Sequence, residues 1–342
     1  MENDVRKMED NILRYSLDYS LFFQNPKKYS NGSTGCIKRD ESGELVEKEV
    51  FLMNLPFLRE LFLYYRSCHP NIGKIYAYQS KPVNSLLMKF YKNGTLTSKY
   101  NTMGDTESAI IAYGIALGMS YIHDVLNTIH RDLKPENIII DGMYPIIIDF
   151  GESFCLNGLY PAKHSLGTPL YSSPEAFNSN IKLPMKESDV FSYGLLLYSM
   201  IEKSFPTYEP NPGSIDDIRT ILNKKIRPKQ TKNVDLNPFW AWEPKDRLTF
   251  SQIVQRFPSM IKNLFPETDM STFIIHKNIM DSKARESMKE KALLNPIPDL
   301  ETVVSNVKKG SIADLVTLGK IYEKNELSKI ANRCNRIAKS CQ

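Results

Sequence analysis

Cysteine is scarce in this sequence, and what there is does not form a framework. Cys36, Cys68, Cys155, Cys334 and Cys341 are odd in number, and no two make a C-x-x-C pair. That spacing argues against a disulfide scaffold and a zinc site and favours a reducing compartment. No apolar run approaches the ~18 residues that a membrane span needs. Met1–Asp10 is charged throughout and has no apolar signal core, so neither a membrane protein nor a secreted one is expected, and a cytoplasmic location is. An excess of one charge is also missing. The 44 basic and 39 acidic residues leave a net +5 over 342 residues, too mild for a nucleic-acid coat or a polybasic membrane anchor. What remains is a globular composition, 42% apolar and 24% charged, in a chain long enough to bury a core without disulfides or metal. The length suggests about two domains.

Residues 1–18 are polar and read as an N-terminal extension. Strand-like runs follow at Tyr19–Phe23, Glu44–Val50, Ile72–Tyr78 and Ser85–Tyr91. Among them sits a helix-like block, Pro56–Cys68, with proline at a helix-start position and Leu58, Leu61 and Tyr65 on one face. Glu107–Val125 is a long amphipathic helix with Ile110, Ile111, Ile115, Met119 and Ile122 inward. Residues 126–186 are loop-rich, with short strands at Asn137–Ile140 and Pro145–Asp149. An apolar helix at 188–202 and further helices to about 263 follow. Strands first and helices afterwards predict an α+β protein with two lobes.

The strongest chemical signal is His130-Arg131-Asp132-Leu133-Lys134-Pro135-Glu136-Asn137, followed twelve residues later by Asp149-Phe150-Gly151 at the end of an apolar strand. In this order and spacing the two motifs resemble those of the eukaryotic protein kinases. The resemblance implies a two-lobed kinase fold over residues 19–265, with a small lobe at 19–88 and a large lobe at 92–265, and transfer of the ATP γ-phosphate to protein hydroxyls. Such transfer needs in-line positioning and charge neutralisation more than covalent help. By the resemblance, Asp132 accepts or orients the substrate hydroxyl and Lys134 reaches the transferring phosphate. Asn137 and Asp149 offer hard oxygen ligands for magnesium. His130 reads instead as a packed loop histidine. Lys134-Pro135 and Thr168 match the serine/threonine version, with dual specificity left open, and Thr168 is expected to hydrogen-bond Lys134 or Asp132. In the activation segment Ser165 is the candidate phosphorylation site, with Arg131 as a docking cation. Glu175 of the Ser173-Pro174-Glu175 run is expected to pair with Arg247, and Asp189 to cap the catalytic-loop backbone; both are structural roles implied by the resemblance. Trp240–Arg247 and Asn93-Gly94-Thr95-Leu96 place the chain near the tyrosine-kinase-like serine/threonine branch.

The small lobe resembles the family more loosely. Ser30-Asn31-Gly32-Ser33-Thr34-Gly35-Cys36-Ile37 stands where a glycine loop covers the phosphates, with Ser30 replacing the first glycine and Gly32 and Gly35 allowing close approach. Lys48 is the candidate phosphate-pairing lysine, although an ungapped turn at Glu41-Ser42-Gly43 would place Glu49 there. Glu47 and Glu49 flank Lys48, and the hairpin before it must be clipped. Glu60, nine residues before His69, is its expected partner. Met88 stands beside the adenine pocket, backbone groups of Lys89 and Tyr91 face the adenine edge, and Ile139 and Val46 form floor and roof. Ile37 closes the loop strand.

Residues 266–342 are more polar and lysine-rich and read as a helical tail. Gly310–Tyr322 resembles the first helix of a Sel-one-type repeat over 310–342. One such unit cannot bury its own face, so the C-terminal helices are expected to dock on the kinase domain or recruit a protein partner. Two other readings stay open: a pseudokinase scaffold that binds nucleotide or partners without turnover, and a helical-repeat interaction module regulated by its kinase domain. Protein substrates, but no nucleic acid and no membrane, are the expected partners.

Overall fold

The structure is a computed structural model that describes residues 23, 25–31, 35–50, 57, 60–61, 63–64, 66–79, 83–156, 167–178 and 183–293. The expected extension at 1–18, Gly32 of the glycine loop, Ser165 and the repeat at 310–342 lie outside these residues. The chain divides into two compact units, a small one that includes residues 74–90 and a large one of 66–73 and 91–287.

The small unit is built on an antiparallel sheet of β1 (Lys27–Asn31), β2 (Gly35–Arg39), β3 (Leu45–Val50), β4 (Ile75–Gln79) and β5 (Asn84–Lys89), in the order β1-β2-β3-β5-β4. The β2–β3 turn is held by one side chain. Asp40, 4% exposed, accepts the N–H groups of Gly43 and Leu45 on Oδ1, both at 3.1 Å. Gly43 supplies the left-handed φ of 71° that the turn requires. This short turn sets the register that places Lys48 opposite Ile37 on β2 and Leu86 on β5. Residues 57, 60, 61, 63 and 64 are helical, and Phe57, Glu60, Leu61 and Tyr64 are buried. Leu58 and Tyr65 of the expected apolar face lie outside the described residues. β4 begins at Ile75 rather than at Ile72. Ile72 is drawn into a bridge with Ile147, and its N–H turns back to the His69 carbonyl at 3.1 Å.

In the large unit α1 (Asp105–Asp124) is the central helix; its isoleucines and alanines are almost wholly enclosed. Around it lie α2 (Lys186–Glu202), α3 (Ile215–Asn223), α4 (Asn237–Trp240), α5 (Phe250–Leu264) and α6 (Met270–Leu293). α5 opens with a capping box between Thr249 and Gln252. Two hairpin-like pairs complete the unit: β6 (Thr128–Ile129) with β9 (Phe154–Cys155), and β7 (Ile138–Asp141) with β8 (Tyr144–Ile147). β6 and β9 have two residues each, too short for any hydrophobic period to announce them. The 3-10 turns at Pro135–Asn137, Pro169–Tyr171, Pro174–Phe177 and Pro244–Asp246 each carry proline at the start, where a missing N–H is harmless. α6 occupies the first part of the expected polar tail, and Phe273, Met280 and Ala284 are buried.

Candidate active site

The loop from His130 to Asn137 is fixed from beneath by a buried carboxylate. Asp189, near the start of α2 and 1% exposed, accepts the backbone N–H groups of His130 at 2.7 Å and Arg131 at 2.8 Å. His123 of α1 bonds the same carboxylate at 2.8 Å. Burial alone would raise the Asp189 carboxyl, but the bonds from His123 and the loop outweigh it and hold it below its ordinary value. This grip lets Arg131 adopt a left-handed φ of 69°. Asp189 thus caps the loop as its motif implied. His123 carries no sequence signal, because a histidine at the end of a helix resembles an ordinary C-terminal residue. His130 is fully buried; its Nε2 bonds the Ile148 carbonyl at 3.2 Å and its ring packs on Phe150 with centroids 5.2 Å apart. It packs the loop, as expected for it.

Above this base three side chains converge on Asp132. Lys134 Nζ is 2.8 Å from its Oδ2. Asn137 Nδ2 donates to Oδ2 at 3.0 Å and to the Asp132 carbonyl at 2.8 Å. Thr168 donates Oγ1–H to Asp132 Oδ1 at 2.7 Å and accepts from Lys134 Nζ at 2.6 Å. Thr168 therefore meets both of the partners expected for it. Gly167 makes this approach sterically feasible: its φ is 60°, and a Cβ there would lie 2.3 Å from the Arg131 carbonyl oxygen. The sequence reading does not reach this contact.

Asn137 and Asp149 flank the β7–β8 hairpin, and the Asn137 carbonyl accepts the Ile148 N–H at 3.0 Å. The donor set fits magnesium. The Asn137 amide nitrogen is committed to Asp132, which fixes Oδ1 as the end of the amide available in character to a hard cation, and Asp149 adds a carboxylate. Asp149 has a left-handed φ of 66°, and the following Phe150 is fully buried. Ile139 lies on β7 opposite Ile146.

In the small unit Lys48 Nζ meets both carboxylate oxygens of Glu60, at 2.8 and 3.0 Å. The flanking acids do not compete for it. Alternation along β3 sends Glu47 and Glu49 to the opposite face, where Lys38 of β2 bonds Glu49 and lies 3.9 Å from Glu47. The Glu49 hydrogen bond raises the Lys38 pKa against its partial burial. Lys38 is the partner that the sequence reading misses, and strand parity is the signal that would have found it. Val46 pairs with Met88 across β3 and β5, and Met88 is 7% exposed. Lys89 closes β5, and the next residue, Phe90, donates its N–H to the Glu44 carbonyl at 2.7 Å. Tyr91 begins the second segment of the large unit. Gly35 has a local reason of its own: a Cβ there would fall 1.8 Å from the Glu49 carbonyl oxygen.

The expected Glu175–Arg247 pair is present. Two parallel bonds of 2.6 and 2.9 Å join guanidinium and carboxylate. Burial would raise the Glu175 carboxyl, and Arg247 overrides it and lowers the pKa.

A family model described as "Protein kinase domain" matches residues 31–258. Among curated proteins the chain is similar to the serine/threonine-protein kinase CTR1 of Arabidopsis thaliana, with 28% identity over 230 residues, covering 63% of this chain and 28% of that protein. It is similar to the dual specificity protein kinase shkE of Dictyostelium discoideum, with 28% identity over 256 residues, covering 69% of this chain and 34% of that protein. It also resembles mitogen-activated protein kinase kinase 9 of Arabidopsis thaliana, with 32% identity over 173 residues, 48% of this chain and 55% of that protein. The matched segment spans between about a quarter and about a half of the length of these relatives.

Proposed function

We propose that this chain, which belongs to the protein kinase family, transfers the γ-phosphate of ATP to serine or threonine hydroxyls of protein substrates. The observation that carries the reading is the network on Asp132. Lys134, Asn137 and Thr168 hold one carboxylate in place with bonds of 2.7 to 3.0 Å. A carboxylate so held can accept the proton of a substrate hydroxyl as it attacks. Lys134 sits beside it, where its ammonium offsets charge on the transferring phosphoryl group. In the small unit Lys48, oriented by Glu60, is the cation for the nucleotide phosphates. Gly32, Gly35 and Ile37 line the covering loop, and Val46, Met88, Lys89, Tyr91 and Ile139 take the adenine. Asn137 and Asp149 would hold magnesium. Bound there, it supplies charge neutralisation for the phosphates.

The kinase domain of this reading runs from 19 to 265, with phosphorylation at Ser165 as a regulatory site and the helical tail from 266 as a partner-binding or docking segment. Among the described residues no helix is long and apolar enough to cross a membrane, and the proposed location is cytoplasmic. The test is label transfer from γ-labelled ATP to a generic protein substrate with magnesium, comparing wild type with Asp132→Ala and Lys48→Ala. Loss of transfer in both variants is expected. Transfer that survives Lys48→Ala would overturn that assignment. No transfer by folded wild type, before and after treatment with an activating kinase, would turn the reading to the scaffold that binds without turnover.

A further inference from the structure

Helix α6 lies beyond the segment that the family model matches, yet as far as Ser287 it belongs to the large unit. Phe273, Met280 and Ala284 are 0%, 2% and 4% exposed and share one face by their spacing. Phe273 stacks on Phe257 of α5 at 6.2 Å and meets Tyr113 of α1 edge-on at 5.8 Å. Tyr113 donates its O–H to Asp281 at 2.7 Å, and Lys277 bonds the same carboxylate at 2.7 Å.

The helix also grips the β7–β8 hairpin. The hydroxyl of Tyr144, the first residue of β8, shares a hydrogen bond with His276 Nδ1 at 3.0 Å, and Lys283 Nζ lies 5.3 Å from the Tyr144 ring centroid. Gly114 of α1 marks where three elements touch. A Cβ there would lie 2.6 Å from Pro145 of β8 and 3.0 Å from the Met280 sulfur. Two strands of four residues are marginal by themselves. This hairpin starts at the residue after Asn137 and stops two residues before Asp149.

We infer that α6 is a positioning element for the β7–β8 hairpin, and through it for Asn137 and Asp149 at its two ends, with Tyr144 and Met280 as the positioning residues. The part that concerns metal rests on the phosphotransfer reading; the part that concerns the hairpin does not. Two variants of the full chain test it. Tyr144→Phe deletes one hydroxyl and keeps the ring, and Met280→Ala empties the space beside Gly114 that the Met280 sulfur shares with Pro145. Ile275→Ala, at an α6 residue that is 59% exposed, is the control.

Hydrogen exchange of the amides at 138–147 is expected to quicken about three- to tenfold in Tyr144→Phe, the worth of one hydrogen bond. It should quicken further in Met280→Ala and stay unchanged in Ile275→Ala, while the α2 amides keep their protection in all three. The magnesium concentration for half-maximal turnover is expected to rise by a similar factor, with kcat regained at saturating magnesium. Unchanged hairpin exchange in both variants overturns the inference. So does a fall in kcat with no change in the magnesium requirement. If wild type shows no turnover, Mn2+ binding followed by electron paramagnetic resonance replaces the magnesium titration: weaker binding in Tyr144→Phe supports the inference, and equal binding overturns it. Exchange needs no turnover, so its outcome is separate from failure of the phosphotransfer reading.

Discussion

Removing the two halves of the Glu175–Arg247 pair should have unequal effects, and the structure says by how much. The Arg247 side chain is 0% exposed and that of Glu175 7%. Arg247 also donates to the carbonyls of Ala241 at 2.8 Å, Glu187 at 2.9 Å and Trp242 at 3.3 Å. Arg247→Met leaves a buried carboxylate that still accepts the Ser188 hydroxyl at 2.7 Å. Breaking such a pair costs about 3–5 kcal/mol, and each orphaned carbonyl adds roughly 1 kcal/mol or more. The sum is a large share of the ~5–15 kcal/mol that holds a typical domain. Glu175→Gln keeps an acceptor for one Arg247 N–H and leaves the three carbonyl bonds and the packing on Phe191 intact, so about 1–2 kcal/mol is expected.

The pH dependence separates this from simple loss of packing. In wild type Glu175 is held below its ordinary value of 4.5, because Arg247 outweighs burial. Its contribution is complete above that value and is lost as pH falls through the lower folded value. Without Arg247, burial outweighs the remaining Ser188 bond and the folded carboxyl rises above 4.5; the penalty then appears as pH climbs past the unfolded value. The gap between wild type and Arg247→Met is therefore widest near neutral pH and narrows below about pH 4. Urea denaturation at both pH values, read by the two tryptophans Trp240 and Trp242, measures it. Equal losses for Arg247→Met and Glu175→Gln, or a gap that does not change with pH, would refute the reasoning.

Thr168→Val removes the hydroxyl that bridges Lys134 and Asp132 and should lower kcat about ten- to hundredfold, from two charge-assisted bonds partly expressed in the transition state; Thr168→Ser should retain most activity in the same label-transfer assay. Gly167→Ala places a methyl against the Arg131 carbonyl at a left-handed φ and should cost at least ~1–2 kcal/mol, seen as a lower denaturation midpoint together with reduced turnover. Glu49→Gln weakens a partly exposed pair with Lys38 on the far face of β3. It should cost less than about 1 kcal/mol and leave turnover unchanged, whereas Lys48→Met is expected to abolish it in the same assay.

The legible parts of the chain are those whose geometry is decided within a few residues. Asp132, Lys134 and Asn137 lie on one loop and the Pro135–Asn137 turn, so the family resemblance of one short motif implies their convergence, and the bonds from Thr168 complete it. The position of Lys48 depends on a longer chain of causes. Three charged residues in a row, Glu47-Lys48-Glu49, are ambiguous until the hairpin length is known, and that length is decided by Asp40 capturing two N–H groups in the turn. A turn at Glu41-Ser42-Gly43 can be read from the sequence, but its register cannot, because a slip of one residue exchanges the faces of β3. α6 fails for a different reason. Its docked face mixes Phe273 and Met280 with His276, Lys277 and Asp281, and those polar residues find partners on Tyr144 and Tyr113. A hydrophobic period cannot detect a face whose contacts are partly hydrogen bonds and ion pairs, so a helix integral to the large unit reads as part of a polar tail. By the same logic, the elements hardest to see in this sequence are those whose burial depends on a partner distant along the chain, and α6 is one such partner of the β7–β8 hairpin, beside Asn71 and Ile72.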